Sequence, residues 1–296
     1  MPATQPGVPH ATKDRSGEAH GQVFRMDTTL AKRALARILG PRKRDPIRRV
    51  ILTYHAVGQG PFAIPRERFQ AQMEWLARRA SVLTLDDLLR RFSVDPLQVA
   101  ITFDDGYSSV VECAESVMTA LGFPGTVYVN TGWMGREERI ESDSTRGHYP
   151  DERFMTWSDL ERLRRVDWTV GSHGVEHDDL TRMPPKKVAS ELRNSRLSIE
   201  DNLGSSCVHF AYTWGRSNPR VRRAVAEAGY QTAATTIHGP VPRLSDPFTL
   251  PRVDVSFRYG LGDFEAALLG DWDYLGPIQR LRGVVRSLRP SIGEAI

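Results

Sequence analysis

Residues Ala100 to Val110 read AITFDDGYSSV, and the fold turns on how this stretch is read. The run Val99–Phe103 is almost continuously apolar, as a strand buried on both faces of a parallel sheet would be. It ends at two adjacent carboxylates, Asp104 and Asp105, followed at once by Gly106. Like charges so close repel, and desolvation at the end of an apolar run makes the repulsion worse. A cation is the simplest compensation, so its other ligands are to be sought elsewhere in the chain. Gly106 suits the tight turn and close backbone approach such a site needs.

On either side of this strand the hydrophobic pattern alternates between two periods. RRVILTYHAV gives a first strand over Val50–Tyr54, and PRERFQAQMEWLARRA a helix with Phe69, Met73 and Leu76 on one face. LTLDDLLRRF is a short helix capped at Thr84, with Asp87 at the third helical position. SSVVECAESVMTALG is a helix stopping at Gly122, GTVYVN a strand, and TWSDLERLRR a helix capped by Thr156. WTVGSH is a strand ending at a histidine. PPKKVASELRNSRLSIEDNLG is a long helix with prolines at its start and Gly204 at its stop. CVHFAY, NPRVRRAVAEAG and YQTAATT continue as strand, helix and strand. Such alternation implies an α/β fold, a parallel sheet or barrel with helices outside, whose chemistry sits at the carboxyl ends of the strands. Asp104–Asp105, His173 and Trp214–Gly215 all fall at that edge.

Composition is that of an ordinary globular chain: 296 residues, 40% hydrophobic and 26% charged. Eighteen or so consecutive apolar residues, the signature of a membrane span, do not occur. Cys113 and Cys207 form neither a disulfide framework nor a zinc pattern. The net charge of +4 is uneven: Met1–Arg49 carries 11 Lys/Arg against 4 Asp/Glu, leaving the remainder at −3. The main body therefore has no basic bias toward nucleic acid. The leader contains LAKRALARILGPRKRDPIRR, where Leu30, Ala34 and Ile38 share helical spacing. Residues 1–45 are expected to be either a disordered basic tail or a helix making peripheral contact with an anionic membrane. The N-terminal stretch MPATQPGVPHATKDRSGEAHGQ lacks the apolar core of a secretory signal, so the expected location is cytoplasmic or at the inner face of the membrane. Residues 46–275 form the catalytic unit and 276–296 a tail.

A second motif, GSHGVEHDDL from Gly171 to Leu180, sets His173 and His177 four apart. Two imidazoles with one carboxylate, from Asp104 or Asp105, form a common ligand set for zinc and related divalent ions. The other aspartate is then free to act as general base toward a water primed by the ion. The chemistry indicated is metal-assisted hydrolysis of a carbonyl derivative.

TFDDG together with SHGVEH resembles the polysaccharide deacetylases of carbohydrate esterase family four, the nodulation-type chitooligosaccharide deacetylases. The likeness runs from about Val50 to Val255, through ILTYHAV, RFQAQMEWL, TWSDLERL, FAYTWG and LPRVDV. It implies a distorted (β/α) barrel of about seven strands that removes N-acetyl groups from amino sugars of a polysaccharide or glycolipid precursor. By that resemblance Asp104 is the base, and Asp105, His173 and His177 hold the metal: Zn2+ first, with Co2+, Ni2+ or Mn2+ as alternatives. Trp214 offers a backbone N–H to the developing oxyanion. His55, Tyr107 and Tyr212 line the pocket.

The chain departs from the family pattern in three places. Gly174 stands where a Ser or Thr is common. Ala211, Tyr212 and Thr213 replace an arginine and prolines, so Arg252 of LPRVDV is the substitute partner for the base. No late histidine motif follows Val255, which leaves His238 of TTIHGP as first candidate for the general acid; a loop histidine without a role is the other reading. His209 is expected in the core or just behind the site, and His148 exposed in a long polar loop, 135–152. An amide hydrolase such as a deformylase on a lipid-linked sugar, and a non-catalytic carbohydrate-binding relative, are the alternative functions.

Overall fold

The computed structural model describes residues 29–39, 46–90, 93–136 and 147–288. Much of the expected leader (1–28 and 40–45), the middle of the 135–152 loop and the tail from 289 onward lie outside the described residues. The strands are β1 (Arg48–Tyr54), β2 (Ser81–Val82), β3 (Leu97–Phe103), β4 (Thr126–Val129), β5 (Thr169–Ser172), β6 (His209–Ala211), β7 (Thr232–Ala234) and β8 (Val253–Asp254). The helices are α1 (Thr29–Leu39), α2 (Arg66–Arg79), α3 (Leu85–Arg90), α4 (Glu115–Ala120), α5 (Trp157–Arg164), α6 (Pro185–Leu203), α7 (Pro219–Glu227), α8 (Leu261–Leu269) and α9 (Leu275–Leu288).

The strands run in the order β7-β6-β5-β4-β3-β1-β8, with β2 added on β3, and every pairing is parallel. The β1–β3 ladder runs from Arg48 opposite Leu97 to Tyr54 opposite Phe103. The segment 250–254 brings the two ends of the path together: Leu250 bridges Ala234 on one side, and Val253 pairs with Leu52 on the other. The result is a distorted (β/α) barrel of seven principal strands with helices outside. All of β3 is buried, which explains its unbroken apolar character. An aromatic stack fixes its carboxyl end: Phe103 lies 5.3 Å from Trp168 and 5.5 Å from Tyr54, ring centre to ring centre.

The helix ends follow their capping residues. Thr156 and Asp159 form a reciprocal capping box, and Thr84 accepts a hydrogen bond from Asp87 N at 3.1 Å. Helix α6 begins at Pro185 and stops at Gly204, which takes the left-handed conformation at φ 60°. One helix departs from the regular reading. The stretch expected to be α-helical from Ser108 opens with a π-helical turn, Val110–Ala114, before α4. Such turns disturb the regular ladder and recur beside functional sites. This one follows the aspartate pair.

Helix α1 packs on the barrel through its charged side. Lys32 donates to Tyr259 Oη at 2.7 Å and lies 5.1 and 5.2 Å from the ring centres of Tyr259 and Trp272. Arg33 forks onto Asp263 with two bonds of 2.6 Å. The apolar stripe is thereby turned outward: Leu30 and Leu35 are 71% and 36% exposed.

Candidate active site

The carboxyl edge of the sheet gathers the chemistry. Asp104 N continues the β1–β3 ladder by donating to Tyr54 O at 2.9 Å. The chain then turns sharply, with Asp105 at φ 71° and Gly106 at φ 73°. A side chain at 106 would bring its Cβ to 2.9 Å from Val129 Cγ1, so only glycine fits. The left-handed backbone at Asp105 costs roughly 1–2 kcal/mol. It places the two carboxylates in different surroundings.

Asp104 faces Arg252. The guanidinium donates to both carboxylate oxygens, at 2.8 and 2.7 Å, and its Nε donates to Thr235 O at 2.8 Å. Both side chains are fully enclosed. Burial pushes the Asp104 carboxyl up, but Arg252, with His173 and His55 adding, outweighs it and holds the group below the usual carboxylate range.

Asp105 faces imidazoles instead. Its Oδ1 lies 3.4 Å from His173 Nε2 and 3.3 Å from His177 Nε2. Burial raises its carboxyl, and His177, His55, His173 and His148 together hold it well below the usual range. His173 extends β5 by donating its backbone N–H to Val129 O at 2.8 Å. Its Nδ1 is 2.8 Å from Ala211 O. A carbonyl oxygen only accepts, so Nδ1 carries the proton and Nε2 presents a lone pair toward Asp105. Burial lowers the His173 pKa to about 4, which keeps the ring neutral near pH 7.

The loop joining the two histidines is held from behind by Glu191 on α6, a residue with no sequence signal. Its Oε2 accepts from Val175 N at 3.0 Å and Glu176 N at 3.4 Å. Asn130 adds a bond to His173 O at 2.7 Å. Gly174, at φ 87°, donates its N–H to Ser172 Oγ at 3.1 Å, so a serine does act here, two positions earlier. A Cβ on Gly174 would lie 3.7 Å from Glu191, an ordinary contact, so the backbone angle rather than space favours glycine.

A divalent cation suits this donor set. Asp105 Oδ1 is buried and makes no hydrogen bond among the described residues, although two imidazole nitrogens stand close to it. A tetrahedral zinc with ligand bonds of ordinary length holds neighbouring ligand atoms about 3.3 Å apart, which the two Asp105–His separations match. Among the described residues, the triad whose donor atoms all lie within 4.8 Å of one another is Asp105, His148 and His177; His173 approaches Asp105 but is not of that triad. His148, expected at the surface, is 4% exposed. The described end of its loop, from Gly147, packs against His177 and Trp214.

The remaining expected residues divide. His55 follows β1, packs its ring 5.5 Å from that of Tyr149, and acts electrostatically on both aspartates. Tyr107 is buried next to Asp105 and accepts the Tyr149 N–H at 2.8 Å. Trp214 adopts φ 59° and ψ 10° in the turn Thr213–Gly215, is 43% exposed, and sets its indole 5.0 Å from the His177 ring. That turn is tied to the histidine loop by Thr213 Oγ1 bonding Asp178 O at 2.5 Å and by Arg216 pairing with Asp179 at 2.6 Å.

Two residues are placed elsewhere. Tyr212 turns into the core against Phe210 and donates its hydroxyl to Phe248 O at 3.0 Å, so it does not line the site. His238 is drawn toward the opposite edge of the sheet. Its backbone N–H bonds Gln279 of α9 at 2.6 Å, and its Nε2 is 3.7 Å from Asp273, the partner of Arg48. Arg48 opens β1, about 20 Å along the strand from the aspartate edge. A proton donor there is out of reach. His209 sits in the core, its Nδ1 2.8 Å from Thr232 Oγ1.

Residues 93–233 match the family model described as polysaccharide deacetylase. YxkH of Bacillus subtilis strain 168, whose name places it among the polysaccharide deacetylases, is 26% identical over 217 residues, covering 71% of this chain and 72% of its own. The poly-beta-1,6-N-acetyl-D-glucosamine N-deacetylase of Staphylococcus aureus strain MRSA252 is 21% identical over 208 residues, covering 66% and 68%. Among solved structures, the Streptococcus pyogenes deacetylase PplD superposes with a TM-score of 0.64 at 20% identity, over 76% of this chain and 99% of that one. IcaB from Ammonifex degensii gives 0.64 at 22%, over 75% and 97%. The structural likenesses bear on the fold, whereas the matched segment contains both aspartates, both histidines and Trp214. That segment forms the reactive edge of the barrel, and over it the chain is similar to the polysaccharide deacetylases.

Proposed function

We propose that this enzyme removes N-acetyl groups from an amino-sugar polymer with the help of a divalent ion, zinc foremost, held by Asp105, His173 and His177. The observation that carries this reading is the division of labour between neighbouring carboxylates: Asp104 is locked to Arg252, while Asp105 Oδ1 faces two imidazole nitrogens at 3.3 and 3.4 Å. The ion, when bound, supplies Lewis acidity toward the acetyl carbonyl and the attacking water. Asp104, kept ionised by Arg252, takes the proton from that water. The Trp214 backbone N–H is offered to the oxyanion, a type of donor worth about 3 kcal/mol where one has been removed from other enzymes. His55, which follows β1 and bears electrostatically on both aspartates, is our candidate, in place of the distant His238, for returning a proton to the leaving amine.

The Staphylococcus relative's name directs the substrate choice toward N-acetylglucosamine polymers. Incubation with β-1,6-linked oligomers is expected to release acetate, to stop on adding a strong chelator, and to resume on adding Zn2+. Acetate release that a chelator leaves untouched would sink the metal assignment; formate from a formylated lipid-linked sugar, with no acetate from any oligomer, would sink the substrate class.

The outward stripe of α1 suggests where the enzyme works. Leu30, Ala31, Ala34 and Leu35 are exposed, and Arg280, Leu281 and Arg282 of α9 are exposed on the element that follows Tyr274, whose hydroxyl bonds Lys32 O at 3.0 Å. Apolar side chains flanked by arginines fit the interface of an anionic bilayer such as a cytoplasmic leaflet presents. The full-length chain is expected to co-sediment with phosphatidylserine vesicles and much less with neutral ones. Leu30→Glu with Leu35→Glu should abolish that binding and leave oligomer hydrolysis intact; binding that survives both changes would refute the assignment.

A further inference from the structure

We infer that Glu191 is a positioning residue that holds His173 and His177 ready for the ion. The inference rests on the metal-dependent reading above. It adds no ligand to the site, so room is left round the ion for water and substrate. Glu191 acts through the backbone of the segment between the two histidines, Gly174 to Glu176. That segment has no regular structure, and the backbone is left-handed at both ends of the loop: Gly174 takes φ 87° and His177 φ 62°. For a residue other than glycine this conformation costs roughly 1–2 kcal/mol, so the loop needs an outside hold.

Two sets of bonds supply that hold. The carbonyls of the segment are taken from the strand-end side: Thr131 N donates to Gly174 O at 3.1 Å and Gly132 N to Val175 O at 3.0 Å. The N–H groups are taken by helix α6. Val175 N and Glu176 N both donate to Glu191 Oε2, at 3.0 and 3.4 Å. Gly174 N donates to Ser172 Oγ at 3.1 Å, and that hydroxyl donates to Ser195 Oγ at 2.8 Å. Glu191 and Ser195 are four apart, so one face of α6 carries all three N–H groups of the segment, directly or through Ser172. Bonds to a carboxylate are the stronger kind, which makes Glu191 the main anchor. Its setting also argues for a specific role. Glu191 is 9% exposed, and burial, with Asp178 and Glu176 adding, pushes its carboxyl up in spite of the two backbone bonds. The same helix face buries Val188, Leu192 and Ile199, so an apolar side chain would serve better at 191 if packing were the only demand. Outer groups that fix the ligands in this way are what a metal site requires of its support.

The test is Zn2+ affinity of the full-length chain by competition with a chromophoric chelator, for the unaltered protein, Glu191→Gln and Glu191→Leu. Leucine removes the acceptor and is expected to weaken Zn2+ binding by about 10–100-fold, a range typical of lost supporting groups at metal sites. Acetate release by this variant should return at saturating Zn2+, since no reacting group is changed. Glutamine keeps an acceptor oxygen and is expected to recover most of the lost affinity. A folded leucine variant that binds Zn2+ as tightly as the unaltered protein would overturn the inference, because a role in stability alone lowers the melting temperature and leaves the affinity of the folded chain unmoved. A glutamine variant weakened as much as the leucine one would also overturn it, since the effect would then be one of charge. A further measurement needs no variant. In the unaltered chain without metal, the Val175 and Glu176 amides are expected to exchange their hydrogens slowly. Amides that exchange freely until Zn2+ is added would show that the ion, not Glu191, orders the loop. Each of these results would overturn the inference alone, whereas an unaltered chain that binds no Zn2+ would overturn the functional reading with it.

Discussion

Asp104→Asn is expected to slow acetate release by about 10²–10⁴-fold, the usual worth of a positioned general base, while Zn2+ content stays near that of the unaltered protein. The separation of the two effects follows from the geometry. None of the three proposed ligands is changed, and the His173 ring keeps its orientation because that is set by Ala211 O, not by Asp104. An amide at 104 still accepts one bond from Arg252 but takes no proton from water at neutral pH. The cost appears in kcat rather than in metal occupancy. A variant that hydrolyses oligomers within tenfold of the unaltered enzyme would remove Asp104 from the base role. One that loses its zinc in proportion to its activity would show the two carboxylates acting jointly as ligands.

The sequence made the strand-end chemistry legible because three independent regularities coincide there. VAITF is apolar on both faces, its adjacent aspartates require compensation, and a histidine pair follows a second strand. Arg252 was legible by the same logic, as a charged residue just after a late strand. What stayed hidden depends on long-range packing. His148 lies in a loop with no periodicity, and nothing local indicates that Gly147 and Tyr149 clamp it against Trp214 and Tyr107. Glu191 looks like any helical carboxylate until α6 packs behind the histidine loop. His238 follows the last short strand of the alternation, but the chain reverses toward α9 before its side chain can join the site. Tyr212 illustrates the penalty of single-residue resolution: side chains alternate along an extended segment, so a neighbour of a site residue faces the other way. The leader's helix was readable from its spacing. Its orientation was not, since Lys32 and Arg33 find partners more than two hundred residues away.

Arg252→Met is expected to destabilise the fold by about 3–5 kcal/mol, the measured range for breaking one half of a buried ion pair. Methionine fills much of the volume, so the loss is electrostatic rather than a cavity. It leaves the Asp104 carboxylate enclosed with no counter-charge, and it removes the Nε bond to Thr235 O in the segment that closes the barrel between β7 and β8. At roughly 2–4 °C per kcal/mol for a domain of this size class, the melting temperature should fall on the order of 10 °C. Lysine is a poor substitute, since a point charge cannot reproduce the two-pronged contact. The pH dependence has a definite sign. In the unaltered protein Asp104 is held below its ordinary range, so its stabilising effect is present above the unfolded carboxyl value and lost only as pH falls through the lower folded one. Without Arg252 burial is opposed only by His173 and His55 and the carboxyl rises, so the variant's deficit is full near neutrality and narrows as acid protonates Asp104. The acid limb of its residual activity should move to higher pH for the same reason. Because the two residues share one interaction, Asp104→Asn with Arg252→Met should lose less stability than the two single losses added together. Strictly additive losses would mean that the 2.7 and 2.8 Å contacts contribute nothing to the folded state, and Arg252 would then have to be read as packing alone.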